Sequence, residues 1–433
     1  MTPSAPVKVQ SLSCPNCGGA IELRAFANSL TAVCASCASV LDTSSKPFSI
    51  LHKFKDKQRR TPLIPLGSRG KFDGTLYEVI GFQTRRITVE GVAYEWTEYV
   101  LFNPFSGFRY LSEYKGHWSF IWPVRKLPTA QRRSGRRESQ ILNGRVYGHF
   151  QHAEAETVFV MGEFPWRVRV GERVEVDDHT APPYVLSAER DGNETTWSEG
   201  RYMDSAEVWK ALGLKSTPPQ AAGVYLNQPS KYPERMKSAV QMLMVFGGLL
   251  FAMFFFFQAT MRKENVLELS RQFVPTAGGE SVYVTPEFEL KGRTSNVEVK
   301  TSTDLDNQWT FFGYSLINTD TGQAWDFGRE VSYYYGRDSD GSWSEGGRND
   351  SVIVPAVPPG RYFLRVEPES DAAGPPVNYR ISVRRDVPLY SYFLIAGLLL
   401  TLPVIVIGWR SFAFEHSRWQ ESDYATTGSS SDD

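Results

Sequence analysis

Over most of its length the chain alternates apolar and polar residues with a period of two, the pattern of strands buried on one face. Between residues 61 and 214 such runs are rich in β-branched and aromatic residues. They are punctuated by GSRGKFDG, NPFSG, YKGH and DGNET, turn sequences that predict several short antiparallel strands. A weak internal echo divides this stretch. Trp96-Thr97-Glu98-Tyr99 in the first half is answered by WSEGRY, Trp197 to Tyr202, in the second, so two small β-modules are expected at 61–127 and 145–214. A second alternating region, 262–388, contains SVYVTPEFEL, NVEVKTS, QWTFFGYSLIN, EVSYYYG, SVIVPAV, GRYFLRVE and NYRISVRR. About seven or eight strands of this length suit a β-sandwich.

Two segments break the alternation. AVQMLMVFGGLLFAMFFFFQA, residues 239–259, and YSYFLIAGLLLTLPVIVIGW, residues 390–409, run for about twenty residues without a charge, enough to span roughly 30 Å of hydrocarbon as helix. Both read as transmembrane helices, with Pro403 expected to kink the second. Large side chains on every face disfavour the alternative of a buried core helix. The fold class expected is therefore mainly β: an N-terminal zinc ribbon, two antiparallel β-modules, and two transmembrane helices flanking an extracytoplasmic sandwich. Residues 410–433 follow as a cytoplasmic tail. In it Phe412, Phe414 and Trp419 beside Arg410 and Arg418 suggest a short interfacial helix, with disorder after Tyr424.

The ribbon is read from cysteine spacing. All four cysteines of the 433-residue chain lie near its start, as SCPNCGG and VCASCAS. Cys14, Cys17, Cys34 and Cys37 form C-x2-C, sixteen residues, C-x2-C, the spacing of a four-thiolate zinc site on two knuckles over residues 11–42. So few apolar residues as Ile21, Leu23, Leu30 and Val33 cannot hold a module by burial, and structural zinc would supply its core. A redox CxxC would need a helix in a βαβ setting, which is missing. Four thiolates also leave zinc no vacant position for catalysis.

Charge adds little to the picture. With 47 basic against 48 acidic residues no footprint for nucleic acid is present. The basic stretches Lys53 to Arg60 and Arg125 to Arg137 read as a solvated linker and an exposed loop. Positive residues flank both apolar segments on both sides, so orientation is taken from the cysteines. Reduced or metal-bound thiols suit the cytosol, the start MTPSAPVKVQSL has no secretory signal, and residues 262–388 hold no cysteine to oxidise. Both termini are placed inside a bacterial cytoplasmic membrane and 262–388 outside it.

GKFDGTLYEVIGF, YEWTEYVLFNPFSGFRYLSEYKGHWSF, GEFPWRVRVGERVEVDDHTAPPYVLSAE and ETTWSEGRY together resemble the bacterial DUF4178 family, whose function is unknown; WTEY and WSEGRY are the most specific part. The resemblance covers roughly residues 60–210, and endings of the form FE-x-x-RW-x-x-SD occur in the same family. It implies β-rich domains, often in two copies, in proteins frequently encoded beside membrane-associated genes, and it carries over no catalytic residue. PPGRYFLRVEPES likewise looks like the late strand of a secreted jelly-roll or pre-peptidase C-terminal sandwich.

No phosphate loop, GxGxxG, GxSxG or HExxH is present. His149 and His152 read as surface residues. Glu98 and Glu199, each beside a tryptophan, read equally as buried structural acids. Asp338, Asp340 and Glu345 lie among glycines in YYYGRDSDGSWSEGG, a hairpin rather than a calcium loop, and Tyr333, Tyr334, Tyr335 and Trp343 read as cross-strand pairs rather than a sugar platform. The reading is a non-enzymatic membrane scaffold with structural zinc. Its partners are the lipid bilayer and the proteins of a membrane complex, and a homo-oligomer fits it; a transmembrane sensor is the alternative.

Overall fold

The computed structural model describes residues 9–25, 28–44, 49–53, 60–131, 138–275, 281–339, 341–372 and 374–425. Lys55, Lys57 and Arg59 of the basic linker, Arg132, Arg133, Arg136 and Arg137 of the basic loop, Asp340 and the end of the tail lie outside them. The chain is 52% strand and 17% helix and divides into two units. One comprises residues 1–236 and 407–433, the other residues 237–406.

The first unit opens with the hairpin β1 (Gln10–Ser13) and β2 (Ala20–Leu23), then β3 (Thr31–Val33), β4 (Ser39–Asp42) and β5 (Ser49–Lys53). After a short β6 (Arg69–Phe72) come four long strands: β7 (Thr75–Val89), β8 (Val92–Asn103), β9 (Gly107–Tyr114) and β10 (His117–Pro123). Two short strands, β11 (Thr129–Gln131) and β12 (Ser139–Leu142), lead to four more: β13 (Arg145–Phe164), β14 (Arg173–Ala181), β15 (Tyr184–Asp191) and β16 (Glu194–Met203). Helix α1 (Ser205–Leu212) follows.

Each expected module thus supplies four strands, and the two sets join. Strand β10 pairs with β16, and β7 with β13, so the order β13-β14-β15-β16-β10-β9-β8-β7 returns to β13 as an eight-stranded antiparallel barrel. A four-stranded meander alone has two open edges, and closure removes both. First strand meets first strand and last meets last, as a two-fold relation between the halves requires. The glycines of VIGF and VMGEF face one another at one seam, in register as Gly81 and Gly162. A Cβ on Gly81 would lie 2.3 Å from the Glu163 carbonyl, and one on Gly162 would lie 2.2 Å from that of Ile80, so neither position accepts a side chain. The Trp-x-Glu echo, by contrast, falls on β8 and β16, which are not equivalent strands.

Outside the wall, Phe72, Tyr77, Phe82, Tyr99, Trp118 and Phe120 pack with Val208, Trp209 and Leu212 of α1. The ribbon is continuous with the barrel, since β3 pairs with the end of β13. Glu163 fixes it there. This carboxylate, 2% exposed, accepts the backbone N–H groups of Arg24 at 2.5 Å and Ala25 at 3.0 Å and the Ser29 hydroxyl at 2.8 Å. Burial still raises its pKa, against the pull of those donors.

The second unit contains most of α2 (Tyr232–Thr260) and the start of α3 (Tyr390–Gln420), the two helices long and apolar enough to cross a membrane. They touch through Phe254, which meets Tyr390 and Phe393. Between them in sequence lies the sandwich, strands β17 (Glu264–Phe273), β18 (Tyr283–Val284), β19 (Phe288–Leu290), β20 (Ser295–Thr303), β21 (Gln308–Asn318), β22 (Ala324–Asp338), β23 (Gly341–Gly346), β24 (Asn349–Val357), β25 (Gly360–Glu369) and β26 (Val377–Arg385). One sheet has the order β17-β26-β20-β24, and the other β18-β25-β21-β22-β23 with β19 also on β25. Their inner faces, alternate residues such as Val297, Val299, Phe312, Leu316, Leu364 and Ile381, make one apolar core.

Helix α3 does not stop at residue 409. The part expected as a separate interfacial helix continues it to Gln420, because the polar turn after Trp409 finds partners in the first unit. Asp338 and Glu345 lie on the paired strands β22 and β23, as a hairpin requires.

Candidate metal centre and barrel lumen

The two CxxC knuckles have the same backbone construction. Cys14 N–H donates to Gly19 O at 2.8 Å and Gly18 N–H to Cys14 O at 2.9 Å, while Cys34 N–H donates to Ser39 O and Ala38 N–H to Cys34 O, both at 2.9 Å. Gly18 at φ +71° and Ala38 at φ +55° turn each knuckle through the left-handed region. The result is that Cys14, Cys17, Cys34 and Cys37 converge with all sulfurs within 4.8 Å, the group among the described residues whose ligand atoms meet in this way. Cys14 and Cys37 are 3.7 Å apart, as are Cys17 and Cys34. Those separations are far too long for a disulfide, and they match the edge of a tetrahedron with metal–sulfur bonds of about 2.3 Å, roughly 3.8 Å. The residues therefore fit a four-coordinate thiolate metal. When bound, the metal would supply a crosslink between the knuckles, with no coordination position left for chemistry. Burial opposes the Cys37 thiolate, but Asn16 and the Ser39 hydroxyl, 3.2 Å from its sulfur, hold its pKa down to about 5.

The barrel lumen is the second feature: an apolar group of Ile80, Val100, Phe102, Val160 and Phe164 fills part of it, and charged side chains lie beside that group. Arg85 on β7 is 4% exposed and reaches Glu189 on β15, although β13 and β14 separate those strands in the wall. Contact between non-neighbours places both side chains inside. Glu98, in register with the adjacent Gln83, lies 3.6 Å from Arg85 and accepts from Gln83 Nε2 at 2.6 Å and Trp96 Nε1 at 2.7 Å. Burial works against the Arg85 charge, but Glu189 and Glu98 outweigh it and raise its pKa. Asp178 receives Ser187 and Gln151, yet burial raises its pKa. Arg85 Nε and Gln83 Oε1 have no protein partner.

The two tryptophan–glutamate signatures consequently face opposite sides of the wall. Glu98 points inward; Glu199 points outward, accepting Tyr147 OH at 2.5 Å and Arg145 at 3.1 Å, with the Arg145 guanidinium 3.7 Å from the Tyr184 ring. Burial, then the bond to Glu199, pushes the Tyr147 hydroxyl up to about 12. A shallow groove of about 430 Å³ opens there, lined by Trp122, Arg145, Tyr184, Glu199 and Arg201. His149 and His152 are also outside, 3.5 Å and 2.9 Å from Asp177, beside His179; their ring nitrogens form no converging metal set. His149 Nδ1 is 2.9 Å from the Tyr424 hydroxyl.

One end of the lumen is crossed by residues 222–228. Ala222 N–H donates to Lys115 O at 2.9 Å, Asn227 Nδ2 to Ser119 Oγ at 3.0 Å, and Thr180 Oγ1 to Leu226 O at 2.7 Å. Tyr225 stacks on His117, ring centroids 5.4 Å apart. Arg418 of α3, 1% exposed, then binds this segment from above: it donates to the carbonyls of Tyr225 at 2.9 Å, Leu226 at 2.8 Å and Gln228 at 2.7 Å. Sequence reasoning placed Arg418 at a lipid interface and passed over Asn227 and Glu163. The only signal for any of them was an arginine and a tryptophan in a segment otherwise suited to an exposed tail.

The first unit is thus an eight-stranded antiparallel barrel with charged groups inside it, joined to a ribbon whose four cysteines could hold a metal ion. Residues 65–205 of it match the DUF4178 family, a domain of unknown function, in one match that spans both halves of the barrel. No curated protein matches the chain. Solved structures with some likeness include the infectious bursal disease virus Gt strain, 10% identical, covering 88% of this chain and 70% of that one at a TM-score of 0.17. Another is the VP2 subviral particle of the same virus, 11% identical over 94% of this chain and 90% of that one, TM-score 0.16. A third is the Cry4Aa toxin from Bacillus thuringiensis, 6% identical over 72% and 52%, TM-score 0.16. Scores this low carry nothing about fold or function.

Proposed function

We propose that this chain is a non-enzymatic scaffold of a bacterial cytoplasmic membrane. Helices α2 and α3 anchor it, the zinc-held ribbon and the barrel form its cytoplasmic body, and residues 262–388 lie on the opposite side. The observation that carries this is Arg418. A helix whose first half is lipid-like in composition ends by burying Arg418 in the barrel body, which supports reading the barrel as a body carried at the end of a membrane anchor. In the lumen Arg85 is paired with Glu98 and Glu189, and four thiolates would leave a bound metal no vacant position, which supports a structural role for both. The test is crosslinking in the native membrane followed by purification and mass measurement. A defined hetero-complex that dissolves on replacing exposed ribbon residues is expected; a chain that stays monomeric and unpartnered in native lipid overturns the scaffold. A cysteine placed at Ser339 should react with an impermeant reagent in intact cells, and labelling only after lysis would reverse the topology.

The same arginine favours a second reading. A helix that is apolar in its first half and bound to the barrel unit at its end is what a transmembrane sensor needs, with the sandwich receiving the stimulus.

A further inference from the structure

We propose that residues 222–228 are a removable strap over the barrel lumen and that Arg418 is its latch, so that displacement of the end of α3 opens the lumen. That the helix is moved through the membrane rests on the reading of α3 as a span; the strap and latch do not depend on it.

The strap is not a strand. It joins α1 to α2 and belongs to no sheet, so it is held by side chains and isolated backbone bonds rather than by a ladder. Three of its carbonyls, those of Tyr225, Leu226 and Gln228, are satisfied by a single guanidinium. Removing that group strips the Gln228 carbonyl of its partner and leaves those of Tyr225 and Leu226 with one donor each, Gln228 N–H at 3.1 Å and Thr180 Oγ1 at 2.7 Å. Beneath it, Leu226 packs on Phe150 and Val185, and Asn227, fully buried, bonds Ser119 on the lumen side of β10. Farther inside are Gln83 Oε1 and Arg85 Nε, buried polar atoms without a protein partner that water entering an opened lumen would satisfy.

The latch is built to move as one piece. Glu415, one turn earlier on α3, accepts from Arg418 Nε at 2.9 Å and orients the fork toward the strap. The helix end is also tied to the barrel rim: Trp419 packs on Phe150, Asp423 N–H donates to Phe150 O at 3.1 Å, and the Asp423 carboxylate accepts His152 N–H at 2.7 Å. Because one helical turn rises about 5.4 Å, a shift of one turn along its axis carries the guanidinium out of reach of all three carbonyls together. The strap's other end runs directly into α2 at Tyr232, which touches Phe414 of α3. Both apolar helices therefore terminate on the same seven residues.

The experiment uses the full chain in lipid nanodiscs, read by amide hydrogen exchange. In Arg418→Gln the amides of Ala222, Tyr225 and Gln228 should exchange about ten- to a hundredfold faster, the consequence of losing charge-assisted bonds, while β14 and β15 keep their protection. Arg418→Lys, which keeps the charge but not the fork, should behave in the same way. Adding the pair Ser119→Cys and Asn227→Cys, oxidised to tie the strap down, should restore protection in the Arg418→Gln background. Unchanged exchange at the strap in Arg418→Gln overturns the proposal. So does loss of protection in β14 and β15 along with the strap in both Arg418 variants, because the strap would then be an integral part of the barrel. Alkaline carbonate extraction of the wild-type chain reads the other premise: release from membranes would sink the membrane span while leaving the strap result standing.

Discussion

The barrel and the sandwich are both antiparallel and both alternate inward and outward residues, but they put different things inside. The sandwich buries hydrocarbon: Val297, Phe312, Leu316, Leu364 and Ile381 meet across the two sheets, and the inward Thr301 bonds Tyr314 at 2.5 Å. The barrel puts Arg85, Glu98, Glu189 and Asp178 in its lumen and turns its largest aromatic cluster outward, under α1. A sandwich core is stabilised by area removed from water. A buried ion cluster adds little net stability, yet breaking it is costly, since each remaining charge has lost its solvent and its partner.

The sharpest break of this contrast is at the ribbon, whose apolar core is only Ile21, Leu23, Ala32 and Leu41 around the cysteines. Cys14→Ser removes one of four converging sulfurs, and structural metal in modules of this size is worth about 10–16 kcal/mol. The expected outcome is loss of about one zinc per chain and of amide protection in β1 to β4, with the sandwich unchanged. A variant that kept the ribbon ordered without metal would show that Glu163 and the β3–β13 pairing suffice.

Arg85→Ala should come next, near the lower end of roughly 3–5 kcal/mol, because Glu98 keeps Gln83 and Trp96 and Glu189 is partly in water. Substituting all three by neutral residues of similar size, Arg85→Met with Glu98→Gln and Glu189→Gln, should recover most of that loss. In the sandwich, Leu316→Ala should cost about 2–5 kcal/mol through the cavity alone, with no neutral partner change able to rescue it. Denaturant unfolding resolved for each unit by exchange reads both. If the barrel triple variant were no better than Arg85→Ala, the ion cluster would be a source of stability after all.

These differences explain what the sequence disclosed. In NVEVKTS and NYRISVRR the alternation is unbroken and the inward residues are mostly apolar, Thr301 and Arg385 excepted, so the sandwich could be read directly. The cysteine spacing likewise pointed to the four sulfurs that converge in the structure. In the barrel, by contrast, an inward Arg85 or Glu98 looks like a solvent-facing residue, and the pattern cannot say on which side of the wall it lies. Closure itself depends on β7 meeting β13 and β10 meeting β16, long-range pairings signalled only by the small residues Gly81 and Gly162 at one seam. Nothing local marks Arg418 as buried, because its three acceptors lie 190 to 193 residues away in the chain.

Acid should distinguish the two units as well. Burial, then the neighbouring His149, lowers the His179 pKa to about 4 on the barrel's outer face, where its Nδ1 has no protein partner. A histidine near 6.5 when unfolded and about 4 when folded binds more protons in the unfolded chain between those values. Stability is therefore full above about pH 6.5 and is lost as pH falls toward 4, by at most about 3 kcal/mol. Burial opposes ionisation of Asp177 beside it, but His152 and Arg190 hold that carboxyl below its usual value, so its own loss begins only at lower pH. His179→Phe should flatten the barrel's pH 4 to 6.5 slope and leave the sandwich's unchanged; a slope that survived the substitution would have to come from another group.

The smallest effect is expected where the sandwich does use charge. Arg329 on β22 makes a two-pronged pair with Asp350 on β24, Nε to Oδ2 at 2.6 Å and the second nitrogen to Oδ1 at 2.7 Å, bridging strands of different sheets. The geometry is good, and the bond to Asp350 raises the Arg329 pKa, but the arginine is well exposed and screened by water and salt. A double-mutant cycle with Arg329→Ala and Asp350→Ala should give a coupling of about 0.2–1 kcal/mol that shrinks at high salt. A coupling above roughly 2 kcal/mol, insensitive to salt, would mean that the sandwich also relies on a desolvated ion pair. The contrast with the barrel would then be one of degree, set by how far each fold withdraws its charges from solvent rather than by whether it uses them.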